Sequence, residues 1–546
     1  MKENTTTTLP HLDKSIPSTA EGYLLSGYSI ALEGWRRGLN MSIKVIFDSI
    51  SKTRIPIFTL SNDTNSYTFK YTRADSVSKE AILTCVNKEL TKKALLDANV
   101  SVPFGETIEN ETPLREIIKE AKKIGYPVVV KPTNGTGGKG VIANIQNDQE
   151  LKDALNYIQK DLKISSDLII EKFQSGYDYR CYVVDDKVVA SYKREPLHII
   201  GNGKDSIKQL LEQKNKQRLT NPALKTRPLK VDKETDLLLA RIGYDLNSIP
   251  KEGQKVYLKS KNNVTSGGEA IDMTDQLSDK MKKLAVDAVK AIPTLTHAGV
   301  DLIIDEKNDT GVVLEINSRP HITAHLYPAR GKSRDVPSAL IDYFFPETVG
   351  YDRQKRSNLY FDFDQVLQTT YLSGNIKEIK VNNIPGDIIL KRYNLYISEN
   401  KLSFAKWLQL QATRNHVSGH IKSINNYYSI VFAGTDSSIK KLVSLIEKKA
   451  KSYKGFKLEE KVRKTPVKQG FHIISSTKTV VSETPVPSNY NSDVNQLIEA
   501  IKQSNREEIR NPTNLEFETL KSQLQKVQIE LEEYKAVFGE LPNKDR

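Results

Sequence analysis

The chain has 546 residues, with 81 Lys and Arg against 67 Asp and Glu for a formal net charge of +14, and two cysteines. A domain takes ~100 to 200 residues, so this length excludes a single core and predicts several domains. Cys85 and Cys181 are too few for a disulfide framework or a cysteine zinc site and read as inert packing residues.

The opening "MKENTTTTLP" lacks the apolar core of a secretory signal, and no run reaches the ~18 apolar residues of a membrane span. A soluble, cytoplasmic protein without a membrane partner is expected. Residues 26–39 ("SGYSIALEGWRRGL") have helical spacing and "IKVIF" reads as a strand, so residues 1–80 form a small α/β unit. Trp35, Arg36 and Arg37 read either as an anion site or as a helix end with solvated arginines. "NKELTKKALLDANV" is a helix that stops near Asn99, and residues 113–124 form another.

That helix leads into "VVVKPTNGTGGKGV". Val128, Val129 and Val130 suit a packed strand, which Pro132 ends. Gly135, Gly137, Gly138 and Gly140 leave backbone N–H groups open to close approach, and Lys131 and Lys139 add positive charge. Together these describe a phosphate cradle, although a hairpin turn with two solvated lysines fits the window equally. The spacing matches neither the Walker loop nor the dinucleotide fingerprint.

Further along, "AGVDLIIDEKNDTGVVLEINSRP" sets Asp301 on one strand, and Glu315 and Asn317 two apart on the next, hence on one face. Three oxygen-bearing side chains there suit Mg²⁺. His321 and His325 have the i, i+4 spacing of a helical metal pair, but Pro320 precedes them and no acid is local, which disfavours zinc. Residues 351–390 read as a connector. Residues 391–475 give the βαββαβ order of a ferredoxin-like domain. Residues 476–512 are a Ser-, Thr- and Pro-rich linker. In 513–546, Phe517, Leu520, Leu524, Val527, Leu531, Tyr534 and Phe538 step by three and four, which predicts either a coiled coil or an amphipathic helix docked on its own chain. The lysines are scattered and not interleaved with aromatics, which argues against a dedicated nucleic-acid protein.

The order of Lys88 in "NKELTK", Lys131 with its glycine loop, Glu171 in "LIIEKF", Arg180 in "DYRCYVV", "TSGGEAIDMTD", Asp301 and "EINSRP" resembles an ATP-grasp carboxylate-amine ligase. The branch it resembles contains the ATP-grasp part of cyanophycin synthetases and bifunctional glutathione synthetases; the resemblance covers roughly residues 80 to 347 and implies an ATP-grasp domain at residues 81–350. The resemblance implies an α+β and α/β multidomain chain built on an ATP-grasp fold, with ATP between two subdomains. Lys88 and Lys131 would hold its phosphates, with Gly135, Gly137, Gly138 and Lys139 closing over them. Glu171 and the backbone near Phe173 would hold the adenine, and Asp178 the ribose. Asp301, Glu315 and Asn317 would bind Mg²⁺, or Mn²⁺ in its place. A carboxylate would become an acyl phosphate, captured by an amine on an amino acid or peptide. Arg180 and Arg194 would brace negative charge, the backbone of Ser266, Gly267 and Gly268 would hold the oxyanion, and His325 would touch substrate or phosphate.

The segment "LSFAKWLQLQATRNHVSGHIKSINNYYSIVFAG" resembles acylphosphatase. Its loop "ISENKLSFAKW" carries neither the glycine cluster nor the arginine of that enzyme, and Ser423 stands where the asparagine belongs, so lost hydrolysis is expected. The chain also has no "GxxxxGK[ST]", unlike cyanophycin synthetases, and ~80 residues ahead of the grasp cannot hold a glutamate-cysteine ligase half. A single ligation is therefore expected, by a homo-oligomer assembled through the tail. The alternative is a non-catalytic ATP-grasp scaffold that oligomerises through the same tail.

Overall fold

The computed structural model describes residues 8–474 apart from 18, 49–52, 134–139, 261, 263, 265, 266, 364, 365, 369–375, 384, 385, 398–401, 452 and 454. Among these, no helix is long and apolar enough to cross a membrane. The chain divides into two compact units: Met1–Ile43, Ile57–Thr369 and Glu378–Pro385 in one, and Lys44–Pro56, Thr370–Lys377 and Gly386–Arg546 in the other.

In the first unit, α1 (Gly22–Arg36) is buried almost all round from Leu25 onward. Such a helix needs small residues where it packs: a Cβ on Gly34 would meet Leu60 Cδ1 at 2.4 Å. The structure overturns both sequence readings of its end. Arg36 is buried and donates to the carbonyls of His11, Ser357 and Leu359, while Arg37 donates to Glu33 at 2.9 Å and Asp342 at 2.6 Å. These arginines are structural, neither solvated nor waiting for an anion.

Helix α2 (Lys79–Val86) precedes α3 (Lys88–Asp97), which Asn87 caps by accepting from Glu89 N and Leu90 N. Asn99, at φ 57°, ends the region. A four-stranded antiparallel sheet follows, in the order β1 (Gly105–Ile108), β4 (Leu168–Lys172), β2 (Val128–Pro132), β3 (Ile142–Ile145). Its cover is α4 (Leu114–Ile124) and α5 (Asp148–Asn156). Ile117, Ala121 and Ile124 of α4 fall at helical spacing and pack with Val128, Val130, Leu151 and Ile170. Gly105 lies so close to β4 that a Cβ would come within 2.1 Å of Ile170 O.

The larger sheet runs β7 (Glu269–Asp272), β6 (Lys187–Glu195), β5 (Tyr177–Val184), β8 (His297–Asp305), β9 (Thr310–Asn317), antiparallel where paired. Strand alternation decides the rest. Tyr179, Cys181, Val183, Val300, Leu302 and Ile304 enter a core with Met281 and Ala285 of α6 (Asp279–Lys290). The residues between them therefore share the opposite face. Both cysteines are free, and burial pushes each thiol up to about 12, in keeping with a packing role.

In the second unit a sheet is covered on one face by the helices Leu402–Arg414 and Asp436–Ala450. Its strand order is Lys457–Lys461, Ile389–Tyr396, Tyr427–Gly434, Ser418–Ile424, Phe471–Ile474, antiparallel except at the last pair. The linker and the seven-residue seam of the tail lie outside the described residues.

Candidate active site

Two clusters of charged side chains form in the first unit, one on the four-stranded sheet and one on the larger sheet. The first joins α3 to the smaller sheet. Lys131 of β2 and Glu171 of β4 sit diagonally across neighbouring strands, and Lys131 Nζ lies 2.6 Å from Glu171 Oε2. Lys92 Nζ stands 3.7 Å from the other carboxylate oxygen and donates to Gly105 O at 2.8 Å. Sequence reasoning missed Lys92. Its signal was the i, i+4 step from Lys88, which puts both ammonium groups on one helix face. Burial holds both Lys88 and Lys92 below the ordinary lysine range, with a further push from Lys131. Phe173 N donates to Pro127 O at 3.0 Å, so this backbone is engaged within the fold.

The second cluster lies on the face of the larger sheet opposite its core, where Asp301, Tyr182 and Tyr192 are buried. Here Glu315, Asp301, Arg180 and Tyr192 fall in one cross-strand row on β9, β8, β5 and β6. Arg180 grips Asp301 with two bonds of 2.6 Å, and Arg194 Nη2 adds a third at 3.0 Å. Arg194 Nη1 also holds Asp178 Oδ1 at 2.7 Å, so one guanidinium bridges two carboxylates. Burial raises the Asp301 carboxyl, but the two arginines outweigh it and hold the group below the usual range. Asp178, where burial outweighs Arg194, sits at about 6 and is still ionised at neutral pH.

Beside that row lies a second one, Asn317, Gly299 and Tyr182. Gly299 leaves space where a Cβ would meet Pro320 at 2.7 Å. Asn317 Nδ2, Tyr182 Oη and both ring nitrogens of His325 are buried without a hydrogen-bond partner. The His325 ring lies 4.7 Å from that of Tyr192 and 6.0 Å from that of Tyr182. Burial, then Arg180 and Arg194, push this imidazole down to about 3, so it is neutral. Orphaned buried polar atoms beside two arginines are the expected lining of a ligand site. His321 stacks on Tyr23 and precedes the helix Thr323–Leu326 that carries His325, so the two histidines share no helical zinc pair.

Gly267, at φ 109°, and Gly268 are buried just before β7, whose Ala270 pairs with Arg194. Gly135, Gly137, Gly138 and Lys139 lie outside the described residues, as does Ser266. Another group, Glu195, His198 and Glu269, is spaced closely enough for a cation. It is already neutralised, however, by Lys214 at 2.6 Å from Glu269 and by Lys255 and Arg330 on Glu195, which makes it an ion-pair network.

Residues 85–198 match the RimK-like ATP-grasp domain, and residues 248–323 match an ATP-grasp domain. The chain is 32% identical over 328 residues to cyanophycin synthetase of Trichormus variabilis, covering 57% of this chain and 36% of that protein. It is 31% identical over 288 residues to the glutathione biosynthesis bifunctional protein GshAB of Clostridium perfringens, covering 50% of this chain and 36% of that one. A bifunctional glutathione synthetase from Pasteurella multocida is similar in structure at 27% identity and a TM-score of 0.44, across 55% of this chain and 41% of its own. The chain spans just over a third of the length of the curated relatives it matches. The family resemblance read from the motif order is thus borne out, and the chain carries ATP-grasp domains.

Proposed function

We propose that this ATP-grasp chain is an ATP- and Mg²⁺-dependent ligase that activates a carboxylate as an acyl phosphate and joins it to an amine on an amino acid or peptide. What supports this reading is Lys88, whose ammonium lies in the field of Glu315 on the larger sheet and of Glu171 on the smaller one. This favours reading the lysine cluster and the acid row as one site. Lys88 and Lys131 would bind phosphates, Glu171 the adenine and Asp178 the ribose.

Asp301, Glu315 and Asn317 offer the oxygen donors that Mg²⁺ or Mn²⁺ prefers, and the partnerless Nδ2 of Asn317 would donate to a phosphate or substrate oxygen beside the cation. Bound there, the cation would neutralise phosphate charge. Arg180 and Arg194 hold the Asp301 oxygens as internal counter-charges. The same two guanidinium groups would brace the negative charge of the reacting phosphate and carboxylate. Backbone N–H groups of Gly267 and Gly268 would hold the oxyanion left by amine attack. No side-chain nucleophile is needed.

ADP release screened across amino acids and peptides, followed by product mass, tests this. Release dependent on one carboxylate and one amine is expected. Its absence with every pair would leave the non-catalytic scaffold.

The strand order of the second unit supports an acylphosphatase-like fold, and the loop sequence with Ser423 is what speaks for lost hydrolysis. The full chain should therefore leave benzoyl phosphate intact above background, and turnover removed by Ser423→Ala would overturn that reading. If residues 513–546 form a coiled coil, charges in its seam should break the oligomer. Light scattering should then show a smaller mass for the Leu524→Asp, Leu531→Asp double variant. An unchanged oligomeric mass would place assembly elsewhere.

A further inference from the structure

The second unit carries a surface that ligation leaves without a role. Its helices cover the sheet face on which Tyr393, Leu395, Ile421, Tyr428, Ile430 and Phe432 are buried. Alternation sends the intervening residues to the opposite face, where the strand registers line them up in rows. The outer row pairs Lys457 with Tyr396 and Tyr396 with Tyr427. The next sets Asn394 beside Ser429, and Ser429 beside Lys422. A third sets Lys461 beside Arg392, with His420 and His472 beyond Val431.

This face is basic and, at its tyrosine end, open. Lys422, Lys457 and Lys461 are exposed, and Tyr396, Tyr427 and Arg392 half-buried, whereas Val431 and Ala433 at the other end are closed off. Glu459, the acid of the middle row, is already held by Lys457 at 2.5 Å and Lys461 at 3.0 Å. Burial, and then Arg463, His472, Arg392 and Lys422, push the His420 imidazole down to about 4, which marks a convergence of positive charge. The cations come from positions far apart in the chain, so a sequence scan sees scattered lysines where the sheet gathers them.

We propose that this sheet face binds single-stranded RNA, with bases on Tyr396 and Tyr427 and phosphates on Arg392, Lys422, Lys457 and Lys461. The two rings lie 5.3 Å apart on adjacent inner strands, and Lys457 Nζ sits 6.0 Å from the Tyr396 ring. Aromatic rings on the central strands of a sheet are a common platform for unstacked RNA bases, and neighbouring cations track the backbone. A duplex hides its base faces, and an acidic peptide would use the cations but not the rings. Between the two sets lies Asn394, whose Oδ1 is buried without a partner. A ribose 2′-hydroxyl supplies the missing donor and deoxyribose does not.

The test is fluorescence anisotropy of the full chain with a labelled twelve-nucleotide oligouridine and its deoxythymidine counterpart, at several salt concentrations. Saturable binding that weakens with salt is expected, tighter for the ribo-oligomer. Tyr396→Ala and Tyr427→Ala should each weaken it about tenfold. Lys422→Gln with Lys457→Gln should flatten the salt slope by about 0.7 for each phosphate left without its lysine. Tyr427→Phe should keep the affinity, which separates stacking from any folding defect of the alanine variants. No saturable binding would overturn the proposal. So would equal affinity for the two oligomers, or tyrosine variants that bind as wild type while polyglutamate competes, since the face would then be a site for acidic peptides.

Discussion

Glu315→Gln is expected to lower ADP release on the order of a hundredfold while leaving the thermal midpoint almost unchanged. Glu315 is the register partner of Asp301 on the charged face of the larger sheet, and its carboxylate acts on Lys88. Glutamine keeps the shape and one oxygen but removes the charge that a hard cation needs. Asn317→Asp should cost less, because it retains an oxygen and adds charge. The Glu315→Gln variant should also bind Mn²⁺ more weakly when titrated by water-proton relaxation, a readout independent of turnover. Wild-type ADP release by folded Glu315→Gln would remove the acid row from the metal role.

Lys131→Met should be nearly as severe for turnover and, unlike Glu315→Gln, should also destabilise the fold. Lys131 and Glu171 are 11% and 6% exposed at their side chains. Removing one partner of a buried pair leaves the other charge uncompensated, at about 3 kcal/mol. Lys92, 3.7 Å from the carboxylate, offsets part of that loss. Lys131→Met with Glu171→Gln should recover much of the denaturation midpoint, since no charge is then stranded, but should not recover ADP release. Recovery of both would show that Lys131 serves the fold alone.

Much of the frame was legible because short-range patterns fix it. The valine run predicted β2, and the two-residue step from Glu315 to Asn317 put both on one face, as β9 has them. What the sequence hid depends on register between distant strands. Arg180 and Asp301 are 121 residues apart, and their ion pair follows from the pairing of β5 with β8. The burial of Arg36 was hidden for the same reason, since its acceptors include Ser357 and Leu359 more than 300 residues away. Lys131 was read as a phosphate ligand and Glu171 as an adenine ligand; nothing in their separate motifs announced that each is the other's counter-ion.

The double grip of Arg194 carries a thermodynamic consequence. One guanidinium holds Asp178 at 2.7 Å and Asp301 at 3.0 Å, so the two carboxylates draw on the same positive charge. Whatever engages Asp178 loosens one arm of that grip and changes the field at Asp301, and an occupant of Asp301 acts back on Asp178. Linkage makes the two effects equal in free energy. If ribose and cation sit where the family likeness assigns them, a nucleotide lacking the sugar hydroxyls would shift divalent-cation affinity by the same factor as the cation shifts affinity for those hydroxyls.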